Sequence, residues 1–418
     1  MVIKAYKKDK LLLINLFLII FFQLNCFYLL DETNFPVKFS DIALLLEIIF
    51  CGLTYFWKNK RSTHNKYEAL FLLPLFLACT SSLMAFIRYQ QPFFMGFRAQ
   101  RSWIMAMLMF LPLTKAISDN RISIKEILKL IDGINIIYIT LLFLQYILGD
   151  RVRFLHLMMN ERYGSIRLYA STSFVIISYA YHLCSFFRTK KIKLSNLFFI
   201  CSTIFVFLFI TKSRMAMIAM FLSSILIVLK QRMTVKKFFI IAFCFFAVAL
   251  FLSSTPGQEV LGLIFKTGNV NNDTSEIRKI GREFYMSELE SSSSTFVFGC
   301  GYINIDWPQT VLAVRYEEGI FTVDNGIFGI LYMYGLASLL WMIVVYFIMF
   351  KNAIYMNNGF ILGTLLIGLL GLYSLTPGAF LEDISFVLQC AVLYSLRYKE
   401  CSKNKKYINK CQLLKGQA

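Results

Sequence analysis

The chain has 418 residues, 58% of them hydrophobic, 17% aromatic and only 16% charged, with a net charge of +19. That basic balance would suggest nucleic acid in a soluble protein, but most of the excess lies in short gaps between apolar runs and in the tail. Topology and anionic lipid account for it there, no basic soluble domain remains, and a nucleic-acid partner is excluded.

The apolar runs are long enough to span a bilayer and number about twelve. In chain order they fall at 11–30, 41–57, 68–87, 103–118, 127–148, 170–187, 194–211, 214–230, 237–253, 325–350, 359–376 and 380–397. Every second gap is lysine-rich: Lys4 to Lys10, Lys58 to Lys66, Lys125 and Lys129, Lys190 to Lys193, Lys230 to Lys237, then the tail from Lys399. By the positive-inside rule these face the cytoplasm, so both termini are expected there. The first run has no small-residue cleavage site and reads as an uncleaved helix. The expected plan is all-α and polytopic. Residues 1–253 hold the first nine or so helices, 254–323 a large outer loop, 324–398 about three more helices and 399–418 a basic tail.

The opposite gaps hold few lysines but many arginines, among them Arg88, Arg98, Arg101, Arg151, Arg153, Arg162, Arg167, Arg214, Arg278, Arg282 and Arg315. Arginine used against the topological bias, on the outer face, suits an anionic ligand. The loop from Arg88 to Arg101 interleaves arginine with Tyr89, Phe93, Phe94 and Phe97 and is expected to lie along the interface. Gly149 to Tyr169 repeats that mixture. The ten cysteines and three histidines form no ligand cluster, and Cys300 is a lone thiol in the large loop, so no metal site is expected.

Few charges fall within the runs. Asp132 lies one turn from Lys129, an interfacial ion pair by spacing, whereas Glu47 needs a partner or a proton. Ser213-Arg214 opens a run at its outer end, where the helix dipole disfavours a cation unless an anion joins it. Arg278 and Arg282 share one face of a helical stretch from Ser275 to Leu289, either as a polyanion clamp or as a solvated face with Glu276, Lys279 and Glu283. Asp324-Asn325, nine residues and Gly335-Leu336 stand where the large loop enters the next run. There Asp324 reads as a helix cap, a proton acceptor or both.

In these residues the chain resembles the O-antigen polymerase and ligase superfamily, and more closely the Wzy-type repeat-unit polymerases. The resemblance rests on the helix plan with one dominant late outer loop and on Ser213-Arg214 heading a helix. It rests also on the arginine-led helix followed by Phe298-Gly299-Cys300-Gly301, and on Asn325 with Gly335 in the family's His-Asn, nine residues, Gly element. It implies a GT-C-like fold in the bacterial inner membrane. The reaction implied is metal- and cofactor-free, inverting transfer of a growing glycan between undecaprenyl-pyrophosphate-linked repeat units, making O-antigen or capsule. The implied partners are those lipid-linked donors and acceptors, membrane lipids and a chain-length regulator. Arg214, Arg278 and Arg282 would hold the pyrophosphate, with Arg167 and Arg98 as further anion or sugar contacts and Asp324 as the base. Asp324 replaces the histidine of the ligase branch, leaving Glu317, Glu318, Glu382 and Asp383 as other outer-face carboxylates. Tyr285, Tyr302 and Trp307 stand either to stack on sugars or to pack the loop onto the bundle. A flippase or exporter and a ligase are the rival readings.

Overall fold

A computed structural model describes residues 9–56, 67–162, 165–188, 193–212, 217, 220–222, 224–227, 272–355 and 385–394. These are mostly helical, and the expected runs at 237–253 and 359–376 lie outside them. The helices are α1 (Lys10–Gln23), α2 (Phe39–Tyr55), α3 (Glu68–Tyr89), α4 (Phe93–Ala99), α5 (Arg101–Leu108), α6 (Phe110–Ser118), α7 (Ile124–Leu148), α8 (Ser173–Arg188) and α9 (Leu194–Phe205). They continue with α10 (Asn272–Glu290), α11 (Ser293–Phe298), α12 (Pro308–Ala313) and α13 (Ile327–Tyr355). Residues 385–394 are also helical. Among the described helices, Glu68–Tyr89, Ile124–Leu148 and Ile327–Ala353 are long and apolar enough to cross a membrane.

Several boundaries depart from the apolar pattern for identifiable reasons. The first run ends at Gln23 instead of continuing to residue 30, because Asn25, Cys26, Phe27 and Tyr28 take φ values of 49, 52, 58 and 59°. Such left-handed backbone stops a helix, and the His156 N–H fixes this one by donating to the Tyr28 carbonyl at 2.7 Å. The run at 103–118 divides at Met109, one turn before Pro112, which has no N–H to donate to the Leu108 carbonyl. By contrast α7 opens cleanly on a capping box between Ser123 and Glu126.

The all-α expectation needs one correction. Residues Met159–Arg162 and Ser165–Leu168 form an antiparallel hairpin, β1–β2, with Met159 opposite Leu168. Its approach has a two-residue period: Leu155 and Leu157 are buried while His156 and Met158 are exposed. Among the described residues of the large loop, 272–323, there are three helices, α10 to α12, where one or two were expected.

The helix α13 is interrupted at Gly335, whose φ of 68° and ψ of −171° are not helical. A break inside an apolar helix frees carbonyls that must find donors. The Tyr332 carbonyl accepts from the Cys300 N–H at 2.6 Å, and the Met333 carbonyl accepts from the Ser81 hydroxyl at 2.7 Å. Ser338 donates to the carbonyl of Gly335 itself at 2.7 Å. Glycine is required on both sides of this contact. A Cβ on Gly335 would lie 2.3 Å from the Val297 carbonyl oxygen, and one on Gly299 would lie 2.6 Å from the Met333 carbonyl carbon. A Cβ on Gly301 would lie 2.3 Å from the Ala85 amide nitrogen. The Phe298-Gly299-Cys300-Gly301 turn and Gly335 are therefore two halves of one backbone-to-backbone joint.

Replacing Gly335 or Gly301 with alanine should lower the melting temperature of the purified protein in detergent, at a cost of roughly 2 kcal/mol or more from strain and overlap. Gly52, with open space where a Cβ would be, should accept alanine with no loss. Equal melting temperatures for all three variants would contradict the joint.

Candidate functional site

The joint holds the polar helix α10 against the start of α13, and Gly281 sets how closely they meet. A Cβ there would lie 2.9 Å from Asn325 Nδ2 and 3.1 Å from Ile320 Cγ2, so only a bare Cα lets the Thr322–Asn325 turn seat on this helix. Gly281 adjoins Arg282 and follows Arg278 by three residues, so the seating brings Asp324-Asn325 onto the arginine-bearing helix. Arg278 is half-buried and Arg282 exposed, with Arg282 Nε donating to the Arg278 carbonyl at 3.2 Å. Lys279 pairs with Glu283 at 3.9 Å. Among the described residues neither guanidinium has a carboxylate partner. The pairing expected of a solvated face is present between Lys279 and Glu283, while Arg278 and Arg282 have no carboxylate partner among the described residues.

Asp324 is not the cap of α13. It lies inside the short 3-10 turn, and Gly326, at φ 56°, separates that turn from the helix. Its half-buried carboxylate has no hydrogen bond or ion pair with the described residues. Beside it Asn325 is buried, donates Nδ2 to the Phe321 carbonyl at 3.0 Å, and leaves Oδ1 unsatisfied. Tyr285, one turn beyond Gly281, is fully buried and its hydroxyl also has no partner among the described residues. Burial first, and then the charge of Asp324, push this phenol upward, so it remains a protonated donor. Its ring packs at 4.6 Å on Tyr332, whose hydroxyl lies 2.6 Å from that of Tyr89. Tyr285 belongs to the core and does not offer a face to a sugar.

The other predicted residues lie elsewhere. Arg98 ends α4 and lines an open hollow of about 1100 Å³ with Lys38, Asp41, Arg101 and the segment from Tyr302 to Asp306. That hollow contains none of Arg167, Arg278 and Arg282. The segment is held by buried Gln91, which donates to the Tyr302 carbonyl and accepts from the Asn304 N–H, both at 3.0 Å. Trp307 Nε1 donates to the Tyr89 carbonyl at 3.0 Å, so this indole packs the loop onto the bundle. Arg167, on β2, donates to the Thr211 carbonyl at 2.8 Å and lies over the Tyr169 ring at 4.3 Å. Arg214 lies outside the described residues, three positions beyond Thr211. Of the carboxylates named beside Asp324, Glu318 pairs with Arg315 at 3.1 Å, Glu317 is exposed, and Glu382 and Asp383 lie outside the described residues. Asp324 and the two α10 arginines are thus brought together; Arg98 and Arg167 each occupy a separate place.

Two carboxylates within apolar helices, Asp132 partly buried and Glu47 buried, have partners that spacing did not reveal. Asp132 is bound to His182 Nε2 at 3.1 Å and to the Ser178 hydroxyl at 2.7 Å, in place of the expected pair with Lys129. The other ring nitrogen of His182 lies 2.8 Å from Asn196 Oδ1, so α7, α8 and α9 share one polar network. Asp132 faces α8 because its own helix buries the line through Ile131, Asn135 and Tyr138. Glu47, 2% exposed, accepts from Gln23 at 2.8 Å. The signals available were Gly281, costly in a polar helix and hence positioned for contact, and the i, i+3 spacing of Asp132 and Asn135.

No protein-family model matches the chain, and no curated protein matches it significantly.

Cys300, in the glycine turn, is fully buried, and burial pushes its thiol up to about 12, against the pull of Arg88. In a variant whose only cysteine is Cys300, maleimide labelling at pH 8 should be at least about a hundredfold slower in folded than in denatured protein. The folded rate should keep rising with pH through 10. Similar folded and denatured rates at pH 8 would show that the turn is not packed as described.

Proposed function

We propose that this protein is a polytopic membrane glycosyltransferase that polymerises polyprenyl-diphosphate-linked repeat units into O-antigen or capsular polysaccharide. In this reading the full chain has about twelve spans in a GT-C-like arrangement. It lies in a bacterial inner membrane with both termini cytoplasmic and the α10 helix on the outer face. The observation that carries the reading is the seating of the Asp324-Asn325 turn on Gly281. It sets the turn that carries Asp324, a carboxylate without a partner among the described residues, on the helix that carries Arg278 and Arg282, neither of which has a carboxylate partner among them. Ion pairs elsewhere at this end are satisfied: Arg88 with Glu288 and Arg101 with Asp41. Charges left without an ion-pair partner on two adjoining elements suit a substrate that is itself anionic and carries a hydroxyl to be activated.

Arg278 and Arg282 would grip the diphosphate through charge-assisted hydrogen bonds and stabilise the charge that develops as it leaves. A diphosphate is a good leaving group, so the donor side needs no general acid. Asp324 would accept the proton of the attacking sugar hydroxyl, contributing about 10²- to 10⁴-fold. Attack from the face opposite the diphosphate inverts the anomeric carbon. The Tyr285 phenol lies close enough to Asp324 for the carboxylate's charge to raise its titration, and it stays a protonated donor on the same platform. Arg214 and Arg167 would serve the second lipid-linked substrate, with Arg98 contacting glycan in the open hollow.

A flippase is the second reading, favoured by one feature. The partly buried Asp132–His182 network joins three helices, and intramembrane ionisable groups commonly serve transport. The surface glycan of a deletion strain separates the two. Polymerase loss leaves single repeat units on the surface lipid, whereas flippase loss leaves none.

In that strain, complementation with Arg282→Ala or Arg278→Ala at normal expression should give products shortened toward single units. Each guanidinium is worth about ten- to a hundredfold in rate. Asp324→Asn should lower the polymerisation rate by about a hundredfold or more. A full-length ladder from Arg278→Ala and Arg282→Ala would refute the clamp, and one from Asp324→Asn would remove that residue as the base.

A further inference from the structure

The open hollow of about 1100 Å³ that contains Arg98 is held in shape by buried amides. Gln91, fully buried, donates to the Tyr302 carbonyl and accepts from both the Asn304 N–H and the Thr310 hydroxyl, the last at 3.1 Å. Gly96, in the middle of α4, packs on that same amide: a Cβ there would lie 2.6 Å from Gln91 Nε2. Gln100, also buried, anchors the end of α4 by donating to the Ser82 hydroxyl at 2.9 Å. The Asp41–Arg101 ion pair, at 2.6 Å, joins α2 to α5 at another side. A hollow fixed by the protein's own groups is preorganised, so no binding energy is lost in shaping it.

The charges of its lining do not balance. Asp41 and Arg101 cancel, whereas Lys38 and Arg98 are exposed and have no carboxylate partner among the described residues. Both stand in gaps opposite the lysine-rich ones, where the positive-inside bias keeps lysine scarce. Asp306 lines the same hollow and has no ion-pair partner among the described residues, so two cations and one carboxylate remain for a ligand. A bare anion such as sulfate offers Asp306 only repulsion, and a neutral sugar leaves both cations unpaired. A carboxylated sugar supplies an acceptor for Lys38 and Arg98 and hydroxyl donors for Asp306. Phe94, 80% exposed in this lining, adds an aromatic face for the apolar side of a ring. The volume lies above the usual range of about 300–1,000 Å³ for a small ligand, which suits several linked rings.

We propose that this hollow holds an acidic glycan: pyranose rings bearing carboxylates, as uronic acids do, with Lys38 and Arg98 taking the carboxylates and Asp306 accepting from ring hydroxyls. Its role in handling substrate rests on the polymerase reading; the binding itself does not. The purified full-length protein in zwitterionic lipid nanodiscs is titrated by calorimetry with tetragalacturonate, tetramannuronate and hyaluronan tetrasaccharide. Maltotetraose, chitotetraose and sodium sulfate at matched ionic strength are the controls. At least one acidic tetramer should bind saturably and at least about tenfold more tightly than either neutral one. That binding should weaken at least about tenfold when Lys38→Ala and Arg98→Ala are combined. It should be largely kept in Arg98→Lys, which preserves the charge and separates lost contacts from lost folding. Arg282→Ala, outside the hollow, should leave it unchanged, so a failed clamp and a failed subsite give different results. Binding of no acidic tetramer, or equal binding of the neutral ones, overturns the proposal. Displacement of the acidic tetramer by sulfate identifies a simple anion patch, and displacement by phosphatidylglycerol in the nanodiscs a lipid site; either overturns it as well.

Discussion

The contact on which the rest depends is the approach of two backbones at Gly299 and Gly335. Neither tolerates a Cβ, because the carbonyl of Val297 and the chain from Met333 to Gly335 already occupy that space. The approach breaks α13, and the carbonyls freed by the break are taken by Cys300 and Ser81. A discontinuous apolar helix is tolerated where neighbouring groups satisfy its backbone in this way. The result fixes the first half of α13, and with it the Thr322–Asn325 turn, against the polar helix that precedes the glycine turn. A loop long in sequence thereby becomes a rigid platform at one end of the bundle.

On that platform the charges divide into those that hold structure and those that do not. Arg88 ties α3 to α10 through Glu288, Arg101 ties α5 to α2 through Asp41, and Arg121 ties α1 to the start of α7 through Asp9. These pairs are partly buried and join elements far apart in sequence. Arg278, Arg282 and Asp324 join nothing among the described residues. Exposure alone does not distinguish them, since an exposed arginine is ordinary. What distinguishes them is that a glycine contact holds the carboxylate turn against the helix carrying both arginines, without the charges neutralising one another. Of the three arginines assigned to the clamp, Arg214 lies outside the described residues, while Arg278 and Arg282 share the helix that meets the Asp324 turn; Arg98 and Arg167, assigned as further contacts, stand elsewhere.

Much of the fold was legible because apolar length and lysine spacing carry most of the information in a membrane chain. The helices at Glu68–Tyr89 and Ile124–Leu148 begin and end close to their expected limits for that reason. The misses came from effects that composition averages away. The left-handed run from Asn25 to Tyr28 is apolar enough to read as helix, yet its backbone is fixed by a distant hydrogen bond from His156. The hairpin at Met159–Leu168 was hidden by its charge, although its approach alternates with a period of two. At the site, the Phe-Gly-x-Gly turn and Gly335 were read as separate motifs, whereas they are one joint. Asp132 was assigned to Lys129 by spacing, but its partner His182 is 50 residues away, a distance that local spacing cannot bridge.

The central claim is that the platform of α10 and the Asp324 turn grips a lipid-linked diphosphate. Photo-crosslinking tests this most directly. A polyprenyl diphosphate analogue with a diazirine next to its phosphates is irradiated with the protein in nanodiscs, and the labelled peptides are sequenced. The account predicts adducts concentrated in the peptides containing Arg278 to Arg282 and Asp324, and removed by excess unlabelled polyprenyl diphosphate. Adducts scattered over the bundle, or confined to the helices around Asp132 and His182, would contradict it.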